Sequence, residues 1–208
     1  MTTERIDLDI EGVRRFHGHW CPGLARGIRV AEAALREVGP SLVDEEVVCI
    51  TEADHCGVDA IQFLTGCTFG KGNLIHRDYG KSVFTFIRRS DGVAVRISAR
   101  AGWRPAHDAR EDEIRARVEA GEPVSDEDRH YFDGSRERYI ESIVSAPLAE
   151  LFDVRRVHVE IPDMAKIHDS IVCSRCGEMA MSSRVRHFAG RPYCWPCYEA
   201  MQTSESTA

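Results

Sequence analysis

The chain has 208 residues, 43% hydrophobic and 29% charged, enough for one well-buried domain with a small appendage. Its net charge of -7 speaks against general nucleic-acid binding, which needs a basic face, though a local basic patch stays open. No apolar run approaches membrane-spanning length, and the opening Met1-Thr2-Thr3-Glu4-Arg5 has no signal-peptide core, so the expected compartment is the cytoplasm.

In chain order, Ile6 to Phe16 reads as a short amphipathic helix and Leu24 to Val38 as a second, stopped by Gly39-Pro40. Glu46 to Glu52 has the β-branched content of a strand, and Val58 to Leu64 is helical up to Gly66. Lys81 to Arg88 and Val93 to Ser98 alternate about the turn Ser90-Asp91-Gly92, which predicts a hairpin. Ala109 to Ala120 and Ser125 to Ser145 are charged helices, the second started by the capping run Ser125-Asp126-Glu127-Asp128. Leu148 to Phe152 leads to a strand over Val154 to Ile161, Pro162 to Ile171 reads as a linker, and Thr203 to Ala208 as a frayed tail. Strands and helices without strict alternation give an α+β domain over 1–165, with mixed helix and antiparallel sheet, followed by a small four-cysteine module over 166–208.

The eight cysteines suit metal ligation or thiol chemistry better than disulfides in such a compartment. In the module, Cys173-x2-Cys176 and Cys194-x2-Cys197 are two identical pairs whose thiolates together complete a tetrahedral Zn²⁺ site of the zinc-ribbon or treble-clef kind. Four thiolates leave no open position, so this zinc is structural, and it supplies stability that so short a segment lacks. Duplication of the pair at this spacing speaks against a redox dithiol. Phe188, Tyr193 and Trp195 are the expected miniature core, and Arg184, Arg186, His187 and Arg191 read as solvated surface, with nucleic-acid contact the weaker alternative.

The first cluster is different in kind. Phe16-His17-Gly18-His19-Trp20-Cys21-Pro22-Gly23 places His17, His19 and Cys21 at period two, so an extended stretch would aim them one way. Pro22 marks a helix start, which puts Cys21 at a helix N-terminus, where the dipole favours thiolate. Cys56, in Asp54-His55-Cys56-Gly57, occupies the same kind of place. These residues, with Cys67 as a possible fourth ligand, are candidates for one transition-metal site whose imidazole and thiolate donors suit Zn²⁺, copper or nickel. There are more candidates than places, so some must instead support ligands, and Glu52, Asp54 or His55 could orient an imidazole. The bland reading is a helix cap with bystander histidines. Thr65-Gly66-Cys67-Thr68-Phe69-Gly70-Lys71-Gly72-Asn73 could hold an anion through backbone N–H groups, with Lys71 and Asn73 as cofactor-binding candidates, although it is not a Walker A loop. Cys49 reads as a buried small hydrophobe, and His76, His107, His130, His158 and His168 as surface or structural histidines. No catalytic residue is identified.

Taken together, Phe16-His17-Gly18-His19, Cys21-Pro22-Gly23, Asp59-Ala60-Ile61-Gln62, Thr65 to Leu74 and Asp78-Tyr79-Gly80-Lys81 resemble the E-subunit family of formylmethanofuran dehydrogenase. The resemblance covers about residues 10 to 100. It implies an α+β domain, often a homodimer, with a metal-capable cleft of His and Cys, and in some members a C-terminal zinc module. The family is named for one component of a molybdenum- or tungsten-dependent enzyme of one-carbon metabolism, so a larger enzyme complex is an implied partner. Three classes of function follow as expectations: a metal-dependent enzyme or redox subunit acting on a small one-carbon or anionic substrate, a metal-handling accessory protein, and an interaction module whose zinc domain docks a partner. Nucleic acid and membrane are not expected partners.

Overall fold

A computed structural model describes residues 6–40, 45–105 and 108–205, and His107 and the last residues of the expected tail lie outside them. The chain forms two compact units, Met1–Met164 and Ala165–Ala208. The first is built on a sheet of β1 (Val47–Thr51), β2 (Leu74–His76), β3 (Val83–Arg88), β4 (Ala94–Ala99) and β5 (Phe152–Arg156), in the order β2-β1-β3-β4-β5. Only β1 and β2 run parallel.

Period-two alternation sorts the sheet into two faces. On one, register partners Cys49, Phe86 and Val95, and Phe84 and Ile97, form the main core. Fully burying a phenylalanine contributes about 2 kcal/mol, so Phe84 and Phe86 anchor this face. The other face carries Val48, Ile87 and Ala94, with Ile75 and Val157 beside them. Residues on both faces are buried, among them all five residues of β1.

Helix α1 (Ile10–His17) begins later than the periodicity suggests, because Asp9 caps it by accepting from the Gly12 N–H at 2.7 Å. Helix α2 (Pro22–Val38) packs on β3 and β4 and against α3 (Gly57–Thr65). It is buried along most of its length, including Arg29 and Glu32, which pair with each other. Arg29 also donates to the Ala146 carbonyl, at 2.6 Å, so the buried charge is matched. Between β4 and β5 come α4 (Ala109–Glu119), α5 (Asp126–Asp133), α6 (Ser135–Ser145) and α7 (Leu148–Leu151). The expected helix over Ser125 to Ser145 is thus two, divided at Gly134. Strand β5 starts earlier than expected, at Phe152 opposite Ala99, and stops at Arg156 because its antiparallel partner β4 begins at Ala94. Strand β2, too short to show a period, was not legible in the sequence.

The second unit contains hairpin β6 (Ser170–Val172) and β7 (Met179–Met181), a 3-10 turn, hairpin β8 (Val185–Phe188) and β9 (Arg191–Cys194), and α8 (Trp195–Glu205). The last helix extends into the stretch expected to fray. Trp195 and Phe188 are half-exposed rather than core, and among the described residues of this unit only Cys173 and Val185 are buried. Trp195 instead lies under the Arg186 guanidinium, 4.5 Å from its ring centre.

One contact fixes the first unit. A Cβ placed on Gly27 of α2 would lie 2.4 Å from both the Cα and the carbonyl oxygen of Gly57, the first residue of α3. Backbone cannot move aside as a side-chain tip can. Gly27→Ala should therefore cost about 3 kcal/mol or more in chemical denaturation, whereas Gly70→Ala, with open space around it, should change stability by less than about 0.5 kcal/mol.

Candidate metal centres

The crossing at Gly27 and Gly57 brings the N-terminal ends of α2 and α3 together. Cys21 is the N-cap of α2, its sulfur accepting from the Leu24 N–H at 3.3 Å. Cys56 is the N-cap of α3 and rests on the first turn of α2, where a Cβ on Gly23 would lie 3.1 Å from that of Cys56. His17 is the last residue of α1, and Gly18 follows in the left-handed region at φ 89°. An extended run was expected to align His17, His19 and Cys21. The chain instead turns sharply between two helices, which brings the same side chains together.

One donor atom from each of His17, His19, Cys21 and Cys56 lies within 4.8 Å of the others, so the group could hold a metal ion. His17 Nε2 is 3.8 Å from the Cys21 sulfur, and the His17 and His19 rings are 4.4 Å apart. Burial is graded: Cys21 is buried, His17 and Cys56 partly so, and His19 is exposed. Burial pushes the Cys56 thiol up, helped by the adjacent Cys21.

The group that orients His17 is Asp59, on the first turn of α3. Its Oδ2 lies 2.7 Å from His17 Nδ1, and the imidazole side chain is only 9% exposed. A carboxylate on Nδ1 fixes the tautomer that leaves Nε2 free to face Cys21. Asp59 stood in the sequence only as part of a motif, because nothing local reveals that it faces a residue 42 positions away. The residues expected in this role do other things. Glu52 is buried and holds Arg96, which keeps its carboxyl below the usual range; Asp54 is exposed. His55 Nδ1 accepts from the Gly57 N–H at 3.1 Å, and burial pulls its pKa down.

Cys67 is not part of the cluster. It is fully buried, its thiol donates to the Val47 carbonyl at 3.3 Å, and burial pushes it up to about 11. It packs in the main core with Cys49, whose thiol burial also holds well above the usual value. Asn73 is likewise fully buried: its amide donates to the Val47 and Gly66 carbonyls and accepts from the Thr68 N–H. These bonds brace the glycine-rich loop and leave no exposed polar atom for a cofactor. The Lys71 ammonium folds over Gly66, 3.6 Å from where a Cβ would stand. His76, His130, His158 and His168 are exposed.

In the second unit the sulfurs of Cys173, Cys176, Cys194 and Cys197 also lie within 4.8 Å of one another and could hold a metal ion. Gly177, at φ 76°, turns the first pair so that its N–H reaches the Cys173 carbonyl. The second pair spans the end of β9 and the first turn of α8. Backbone N–H groups of Cys176 and Cys194 pull Cys173 down to about 6, whereas the Cys194 thiol pushes Cys197 up to about 12.

Fold and donor sets thus define an α+β protein with two separate clusters able to hold metal, one of sulfur only and one of sulfur with imidazole. The family model described as FmdE, molybdenum formylmethanofuran dehydrogenase operon, matches residues 16–153, and the chain belongs to that family. A protein of Archaeoglobus fulgidus named a probable S-adenosyl-L-methionine-binding protein is 32% identical over 179 residues, 83% of this chain and 49% of its own length. The chain therefore spans about half the length of that relative. A crystal structure of a tungsten formylmethanofuran dehydrogenase FmdE-like protein from Syntrophus aciditrophicus has the same fold, with a TM-score of 0.61 and 21% identity over 92% of this chain and 90% of that one. No described helix is long and apolar enough to cross a membrane.

Asp59→Asn should weaken metal binding at the first cluster by about 10- to 100-fold in competition with a chromophoric chelator, while Cys67→Ser should leave it unchanged. A second expectation concerns the four-cysteine unit. Because it buries so little, chelation should expose it to limited proteolysis while residues 6–164 stay resistant, as read by mass spectrometry of the fragments.

Proposed function

We propose that the first unit is a transition-metal centre, with Zn²⁺ the best-matched ion, held by Cys21, Cys56 and the Nε2 of His17, and that the protein uses it as a metal-dependent enzyme on a small one-carbon or anionic substrate. The observation that carries this reading is the convergence of four donors within 4.8 Å, one of them, His19, on the solvent side. Three protein ligands with one reachable position are what a catalytic zinc site needs, and His19 can stay a ligand or yield to substrate. A metal held there supplies Lewis acidity. The chain's own residues do the rest: Asp59 fixes the imidazole, the Leu24 N–H holds the Cys21 sulfur at the α2 N-terminus, and Cys56 meets it from the α3 N-terminus.

The four-cysteine unit has a different task in this reading: a closed thiolate set holding a structural zinc in a treble-clef-like module. The exposure of His19 also favours a second reading, in which the first cluster takes up and passes on an ion as a metal-handling or accessory protein. The family resemblance further supports a cytoplasmic homodimer. The half-exposed Phe16 and Phe63, whose rings lie 5.9 Å apart, and the exposed Phe69 are apolar surface that a second copy would cover.

Elemental analysis of purified variants tests the proposal. Cys56→Ser should lose one equivalent of metal and keep the other, and Cys173→Ser should do the reverse. Unchanged metal in the Cys56 variant would remove the first centre. Metal that is lost on simple dialysis would favour the handling role over catalysis.

A further inference from the structure

A cavity of about 850 Å³ lies between α4, α6 and the residues Arg104, Pro105 and Asp108 that precede α4. Its size falls within the range of about 300–1,000 Å³ typical of small-molecule sites. Four arginines line it. Two are neutralised within the protein: Arg115 pairs with Glu111 at 2.9 Å, and Arg138 with Glu111 at 3.2 Å and Asp108 at 3.6 Å, lying also over the Tyr131 ring.

The other two are not. Among the described residues, Arg104 donates only to the carbonyl of its neighbour Trp103, at 3.0 Å, and Arg136 only to the carbonyl of Trp20, at 3.2 Å. Neither has a carboxylate partner there, and the remaining lining acid, Asp112, is itself engaged. A guanidinium has five N–H donors in a planar fork, so each keeps donors for a ligand. The wall behind them is fixed. Tyr139 lines the cavity and its hydroxyl accepts from Arg26 at 2.9 Å, while Arg26 lies over the Trp103 ring at 5.2 Å.

We propose that this cavity binds a small organic anion, a carboxylate or a phosphate ester, through Arg104 and Arg136. Both side chains are exposed in the cavity wall and keep N–H donors, and a guanidinium grips an oxyanion with two parallel hydrogen bonds. The place is also informative. Trp20 stands between His19 and Cys21, so the Arg136 fork reaches the backbone of the segment that carries the candidate metal ligands. The site rests on the cavity alone and does not require the cluster to hold metal.

The test is calorimetric titration of the full chain at low ionic strength, with inorganic phosphate in one arm and succinate in the other. At least one probe should bind saturably with one site per chain. Arg104→Gln and Arg136→Gln should each weaken that binding at least tenfold, and Arg129→Gln, on α5 outside this cavity, should not. Phosphate alone binding would identify a phosphate ester, and succinate alone a carboxylate. Thermal unfolding checks that each variant folds; Arg104→Lys and Arg136→Lys, which keep the charge but lose the fork, should give intermediate affinity. Titrating the Cys56→Ser variant separates this site from the metal centre, because binding should persist there. Failure of both probes to saturate, equal affinity in the Gln variants, or loss of binding with Cys56→Ser would each overturn the proposal.

Discussion

The near-contact of two glycines holds the first unit's chemistry in place. Where α2 crosses the start of α3, Gly27 meets the backbone of Gly57 with no room for a methyl group. Helix axes can approach this closely only where side chains are missing, and the approach brings two helix N-termini side by side. Each of those ends bears a cysteine, and the first turn of α3 bears the aspartate that meets His17. A wider crossing would leave Cys21 and Cys56 as two unrelated caps. The proposed centre is thus a by-product of helix packing: the glycines set the distance, and the residues at the helix ends supply the donors.

The two clusters differ in ways that suit different work. The sulfur-only set sits in a unit with almost no buried side chains, between two hairpins and a helix. In so small a unit, cross-linking by an ion replaces a hydrophobic core as the source of stability. The mixed set sits on a unit whose sheet and central helix are already well packed. There a metal adds little that the fold needs, and one face of the cluster is open to solvent. Stability and access point the same way: an ion held by the second unit would support the fold, and one held by the first would be open to solvent on the His19 side.

Much of this was legible in the sequence, because its signals are local. The two CxxC pairs, the Pro22 helix start and the hairpin about Asp91-Gly92 are read from spacing alone, and the segments from Phe16 to Lys81 from their resemblance to a family. Cys67 shows the limit. It stands in the same motif-rich stretch as the ligand candidates, yet it points into the core and donates a hydrogen bond to the Val47 carbonyl. A buried thiol and a ligand thiol look alike in one dimension. Asn73 shows the same limit: a polar residue in a glycine-rich loop suggests a ligand, but the loop itself uses every polar atom of the amide.

Composition and spacing alone determined the α+β class, the kinds of donor atom and the separation of the cysteines into two groups. They could do so because thiols, imidazoles, caps and turns act over a few neighbouring residues. Only the tertiary structure decided that His17, His19, Cys21 and Cys56 face one point, that Asp59 rather than Glu52 steadies an imidazole, and that Arg104 and Arg136 share a cavity. Those facts depend on which helix faces cross and how closely, and that is set by packing between segments far apart along the chain.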